Sequence, residues 1–214
     1  MRPQIPPARD QGQRPTCLAF ATSSAHAISR GKGASYEALS EEMLFWGACR
    51  ILERVGGLTV DSASQTLSST GQCSLQLWPY DDSPAPTKQP SKQALRDGAG
   101  RLARCVAIHR SYAETLRFLM ESMPVVFTFQ VFVGLWEPVR GFVYAPQSSE
   151  ILDDRHAMLA VGAFSDQHGN QWVVARNSWG AGWGDQGHCY LPADFFNRFV
   201  QHAYIVELVS EPTQ

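Results

Sequence analysis

The sequence predicts an α+β chain with its helices in the first half and its strands in the second. Two observations carry this. Up to about residue 70, apolar residues recur at helical spacing; after about residue 104 they gather in short β-branched and aromatic runs. Between these halves, residues 78–92 hold Pro79, Pro84, Pro86 and Pro90 and read as a long crossing loop. Segregated helices and strands argue for α+β rather than alternating βαβ units.

Each element follows from local chemistry. Residues 3–16 are rich in Pro, Gly, Gln and Arg and form an extended lead-in. From Cys17 to about Arg30, Leu18, Phe20, Ala21, Ala25 and Ile28 keep helical spacing, and Gly31 and Gly33 end the helix. Ser40 is an N-cap before acidic Glu41 and Glu42, opening a helix through about Leu52. Gly56-Gly57 breaks the chain. A third helix runs from about Val60 to Ser69, with Gly71 just past its end. Strands are expected at residues 106–108, 125–131, 156–162, 171–176 and 203–209, and a helix from about Tyr112 to Met123, ending before Pro124. No internal repeat or low-complexity tract interrupts the chain.

Composition narrows the function. With 214 residues and 44% hydrophobic content, the chain can build one large domain or two small lobes. The net charge of −2, with both signs interspersed, gives no electrostatic reason to expect nucleic acid or an anionic membrane as partner. No apolar run approaches the ~18 residues of a membrane span. The opening Met1-Arg2-Pro3-Gln4-Ile5-Pro6-Pro7 lacks the apolar stretch of a signal peptide, so the expectation is a cytoplasmic protein or a piece of a longer chain. Five cysteines, an odd number, leave at least one unpaired, and without a secretion signal reduced thiols are expected. A buried free thiol is ordinarily a small hydrophobe, so Cys17 must earn a role from its context.

Other polar clusters offer little. His26, His109, His168, His188 and His202 read as structural or surface residues, and no Cys/His pair has zinc spacing. Gly98-Ala99-Gly100 lacks the preceding strand and following Lys-Ser/Thr of a phosphate loop. Neither metal nor cofactor is expected.

Cys17 opens a predicted helix. A thiol there feels the helix dipole and free N–H groups, which favour the thiolate. An imidazole completes the activation, a side-chain amide orients the imidazole, and a separate donor holds the tetrahedral oxyanion. Cys17, His156, Asn177 and Gln11 fit these four roles.

Those residues carry a resemblance to the papain-like cysteine peptidases, a family whose cysteine signature is well known. Gln11-Gly12 with Cys17-Leu18-Ala19-Phe20 is similar to the family's Gln-Gly…Cys-Trp-Ala-Phe segment. His156-Ala157 and Val161-Gly162 resemble its His-Ala…Val-Gly strand. Asn177-Ser178-Trp179-Gly180, Gly182-Trp183-Gly184 and Gly187 resemble its Asn-Ser-Trp-Gly…Gly-Trp-Gly…Gly run. Weaker likenesses at Leu39-Ser40-Glu41-Glu42, Gly56-Gly57, Trp78-Pro79-Tyr80 and Arg140-Gly141-Phe142-Val143-Tyr144 extend it from about residue 4 to about 208.

The resemblance implies a two-lobed papain-like fold over residues 1–214 as a single peptidase domain. A mainly helical lobe (about 10–100) and a mainly β lobe of antiparallel, barrel-like sheet (about 101–209) would border the active-site cleft. It implies Cys17 as nucleophile, His156 as general base and later acid, Asn177 as its orienter, and Gln11 with the Cys17 N–H as oxyanion hole. Trp179 would shield the His156–Asn177 bond. Gly56 and Gly57 would bind substrate backbone, with Ala157 nearby. The implied activity is endopeptidase hydrolysis of an extended polypeptide through a thioester acyl-enzyme. An inactive binding module and an acyl transferase or peptide ligase are the alternatives. Partners would be a protein or peptide substrate, and a regulatory domain or inhibitor protein. Leu191-Pro192-Ala193-Asp194-Phe195-Phe196 looks more like bacterial members, and Phe195, Phe196 and Ala157 are candidates for the neighbourhood of the main specificity pocket.

The sequence also departs from the pattern. Leu18 replaces the Trp after the nucleophile. Arg14-Pro15 replaces Cys-Gly and removes a half-cystine. Arg155 stands where the family has Asp or Asn, and a cation there would disfavour the imidazolium unless it points to solvent or pairs with Asp153 or Asp154. The family's inhibitory propeptide is not seen ahead of the mature-like start.

Overall fold

The computed structural model describes residues 6–31, 36–82 and 88–209. Gly33, Pro84, Pro86 and residues 3–5, singled out above, lie outside them. The chain divides into two compact units. One, mainly helical, comprises Gln11–Val106 and the chain from Val206 on; the other, mainly sheet, comprises the chain up to Asp10 and Ala107–Ile205.

Four helices build the helical unit: α1 (Cys17–Arg30), α2 (Glu41–Leu52), α3 (Val60–Ser69) and α4 (Lys92–Ala99). Their starts differ. Ser40, Thr59 and Ser91 each accept a backbone N–H at the head of α2, α3 and α4, satisfying one orphan donor apiece. Thr16, ahead of α1, makes no such bond; its hydroxyl pairs with the Tyr80 hydroxyl at 2.8 Å instead. No acidic side chain occupies the first turn of α1, so nothing there offsets its positive end. Met43, Cys73, Trp78 and Ala94 pack into one cluster with Trp46 and Leu77 against it. Gly47 lets α2 approach α3: a Cβ there would meet Thr66 Cγ2 at 2.3 Å.

The six-stranded sheet runs β1 (Ala103–Ala107), β6 (His202–Leu208), β2 (Val125–Phe132), β3 (Ile151–Ser165), β4 (Gln171–Arg176), β5 (His188–Pro192). The β2–β3, β2–β6, β3–β4 and β4–β5 pairs are antiparallel. Helices α5 (Tyr112–Met120) and α6 (Ala193–Arg198) complete the sheet unit. Its core is aromatic: Phe127, Phe129, Phe132, Phe195 and Phe196 are all buried, with ring centroids 4.9 Å apart for Phe127–Phe196 and 5.4 Å for Phe129–Phe195. Phe195 and Phe196 are thus part of this packed core.

The α+β reading holds, with local corrections. Helix α4 starts at the last residue of the expected loop and was not expected beyond it; only its Ala94 and Gly98 are buried, so it shows no wide apolar stripe. Strand β5 and helix α6 were not read from the sequence. β1 starts at Ala103 rather than Val106, and α5 stops at Met120, where Ser122 turns left-handed at φ 58°. β3 is 15 residues long and starts at Ile151 rather than His156; its exposed head from Leu152 to Arg155 has no inward-facing apolar residue to announce it.

Candidate active site

His156 lies on β3, opposite Phe129 of β2. It is 5% exposed. Its Nε2 sits 2.6 Å from Asn177 Oδ1, and the Ser178 backbone N–H donates to the same oxygen at 2.8 Å. A backbone N–H can only donate, so the Asn177 atom there is the oxygen. The facing His156 Nε2 must then carry a proton, which leaves Nδ1 as the acceptor nitrogen of the neutral ring. Asn177 is held in turn by its own N–H to Gly187 O at 2.9 Å.

An aromatic wall surrounds the pair. The Trp179 ring lies 4.7 Å from the His156 ring, and Phe129 meets the imidazole edge-on at 5.9 Å. Trp136 stacks on Trp179 at 4.9 Å with 6° between the planes, and Trp183 abuts it edge-on. Trp183 Nε1 donates to Leu135 O, fixing the turn that carries Trp136. Burial pushes the His156 pKa down to about 4, opposed by the Asn177 hydrogen bond and the Asp154 charge. Burial penalises the second proton, the one that makes the ring a cation, and a nearby anion offsets that penalty. The Arg155 cation is not the charge that acts on His156; Arg155 is exposed, and its backbone N–H bonds Asp154 Oδ1.

The Asn177 segment is braced by the chain's own N-terminal stretch. Arg176 donates to Pro6 O and Pro7 O, Gly180 N donates to Arg9 O, and Asp10 bridges Trp179. At Gly187, with φ 79°, an added Cβ would meet Ala8 Cβ at 2.1 Å, so this glycine serves packing.

In the helical unit, Cys17 is the first residue of α1, half-buried and free of disulfide. Gln11 is buried, and its Nε2 donates to Arg14 O at 2.7 Å. Arg14, seen in sequence only as a lost half-cystine, is 2% exposed and paired with Glu42 at 2.7 Å. Gly56 is half-buried and Gly57 exposed in the α2–α3 connection, where Arg54 Nη2 donates to Gly57 O at 3.2 Å. Ala157 is 2% exposed, its side chain in the sheet core. So one unit holds Cys17, Gln11, Gly56 and Gly57, and the other holds His156, Ala157, Asn177 and Trp179.

Among the described residues no group of three or more His, Cys, Asp and Glu is arranged to hold a metal ion. No described helix is long and apolar enough to cross a membrane.

An α+β fold with an amide-bonded imidazole under an indole, and a thiol opening a helix, defines the papain-type class. The sequence model of the papain family of cysteine proteases matches residues 1–202, and the chain belongs to that family. Ananain of Ananas comosus is 24% identical over 193 residues, 89% of this chain and 53% of ananain. The chain thus spans about half the length of ananain. Among solved structures, xylellain, a cysteine protease from Xylella fastidiosa, superimposes with a TM-score of 0.86 at 22% identity. That match covers 97% of this chain and 84% of xylellain. Bromelain from Ananas comosus, in complex with the E64 inhibitor, gives 0.70 at 18% identity, covering 97% and 94%. At these identities the structural matches speak for the fold.

Proposed function

We propose that the chain is a cysteine endopeptidase acting on extended polypeptides, with Cys17 as nucleophile and His156 as base. The carrying observation is the His156 Nε2–Asn177 Oδ1 bond of 2.6 Å beneath Trp179. It fixes the tautomer and reserves Nδ1 for the thiol proton. In the proposed reaction the Cys17 thiolate attacks the scissile carbonyl. The oxyanion is met by the Cys17 N–H and the Gln11 amide. His156 then gives its proton to the leaving amine, and water hydrolyses the thioester. Burial lowers the imidazole's own basicity, so the imidazolium depends on the thiolate as counter-ion. The catalytic triad of Cys17, His156 and Asn177 belongs to this proposal. So do substrate binding by the backbones of Gly56 and Gly57, with Ala157 near, and a cytoplasmic, bacterial setting.

Leu18 beside the nucleophile favours a second reading, an inactive scaffold that binds a peptide, and a transferase or ligase would use the same thiol. Cys17→Ala tests the proposal: turnover of a peptide library should vanish while the fold persists. Unchanged hydrolysis in that variant would end it. Iodoacetamide labelling of Cys17 no faster than a free thiol would favour the binding module. A new amide product with added amine would favour the transferase.

A further inference from the structure

We propose that Arg14 is a positioning residue for the oxyanion-binding amide: its buried pairing with Glu42 fixes the carbonyl that orients Gln11. The inference rests on the peptidase reading above and adds a residue which that reading does not use.

The path is continuous. Glu42 stands in the first turn of α2, a helix anchored by its Ser40 cap. Its carboxylate takes both arms of the Arg14 fork, Nη1 to Oε2 at 2.7 Å and Nη2 to Oε1 at 3.0 Å, and also accepts Asp81 N at 3.2 Å. Arg14 Nη1 donates as well to Asp81 O. The guanidinium lies between the Phe45 ring at 4.7 Å and the Tyr80 ring at 4.8 Å. With both ends of the residue fixed, its carbonyl is fixed too. That oxygen accepts Gln11 Nε2 at 2.7 Å and Thr16 N at 2.8 Å. Tyr80, the ring stacked on Arg14, donates its hydroxyl to Gln11 O at 2.8 Å. So the Gln11 side chain hangs from Arg14, and the Gln11 backbone hangs from the ring that Arg14 holds.

A paired buried charge is costly to assemble and costly to break, so its retention beside the nucleophile asks for a reason. It crosslinks loop 11–16 to α2 without a covalent bond; none of the five cysteines is in a disulfide. Lysine cannot replace it. A single ammonium offers no fork for two carboxylate oxygens and no planar face for two rings.

The test separates oxyanion geometry from thiolate activation. Hydrolysis of a fluorogenic peptidyl-coumarinamide develops an oxyanion; alkylation of Cys17 by iodoacetamide, at a saturated carbon, does not. Arg14→Lys should lower kcat by about 30-fold to 100-fold, as for a displaced oxyanion donor, with KM and the alkylation rate within about threefold. Arg14→Met combined with Glu42→Gln removes both charges, guards against misfolding from a lone buried ion, and should show the same split. In a Gln11→Ala background, Arg14→Lys should cost less than about threefold more, because its target is already gone. The inference is overturned if Arg14→Lys costs as much with Gln11 as without it. It is equally overturned if alkylation falls in step with hydrolysis, or if neither Arg14 variant lowers kcat. Hydrolysis that survives Cys17→Ala is a different outcome: it removes the functional reading, and this one with it.

Discussion

Two buried histidines, one in each unit, are built almost alike. His26, on α1, faces Gln72 Oε1 through Nδ1 at 3.0 Å; His156, on β3, faces Asn177 Oδ1 through Nε2 at 2.6 Å. Each amide is held so that its oxygen meets the ring. Gln72 Nε2 donates to Ser40 O at 2.9 Å and to Ser23 Oγ, while Ser178 N donates to Asn177 Oδ1. Burial pushes both pKa values down to about 4. The neighbouring charges differ. Arg30 and Arg101 add to the depression at His26, whereas Asp154 opposes it at His156. The second ring nitrogen of His26 is buried with no partner among the described residues. His26 is thus held neutral as a core group, and His156 sits where an incoming proton has an ally. Burial, an amide partner and a lowered pKa are common to both histidines; the sign of the neighbouring charge separates them.

The sharpest contrast is in turnover. His156→Gln should lower kcat/KM by roughly a thousandfold or more, the scale of losing a catalytic base, while His26→Gln stays within about threefold. Equal losses in coumarinamide assays would dissolve the distinction. Stability should reverse the order. His26→Ala leaves a cavity and strips Gln72 Oε1 of its His26 partner, and should cost about 2–4 kcal/mol in urea unfolding. His156→Ala, at the edge of its aromatic wall, should cost less than half as much.

A third expectation concerns pH. The His26 pKa is depressed in the fold, so the unfolded chain binds the proton more tightly. The stabilisation is therefore present above pH ~6.5 and lost as pH falls toward 4. A displacement from 6.5 to about 4 corresponds to about 3 kcal/mol. Denaturant midpoints measured across that window should fall in the wild type and run flatter in His26→Ala. A slope unchanged by that substitution would assign the acid sensitivity elsewhere. The smallest effect belongs to Asp154→Asn. Removing an exposed anion that favours the imidazolium should move the alkaline limb of kcat/KM to lower pH by about half a unit, less in high salt.

Much of this was legible in the chain. Cys17 at a helix start, and the bounds of α1, α2 and α3, follow from apolar spacing, caps and glycine stops that act locally. His156 and Asn177 were readable as motif members, but their shared tautomer depends on the Ser178 N–H, which no side-chain pattern reports. Nothing local in the sequence signals the stack of Trp136 on Trp179, because it joins residues far apart in the chain. Arg14 was the deepest omission. Its partner Glu42 is 28 residues away, and an arginine in a loop is ordinarily solvated. The polar, shallow helix α4 and the exposed head of β3 escaped for the opposite reason: their side chains face water and leave no apolar rhythm.

The bracing of the Asn177 segment by residues 6–10 has a consequence for synthesis. Those five residues belong with a stretch made some 170 positions later, as Arg176 bonded to Pro6 shows. At a translation rate of about 5–20 residues per second, they wait roughly 10–30 s for their partners to leave the ribosome. On the peptidase reading proposed above, Cys17 would leave the ribosome well before His156 and Asn177, and its thiol would stay unactivated until they follow.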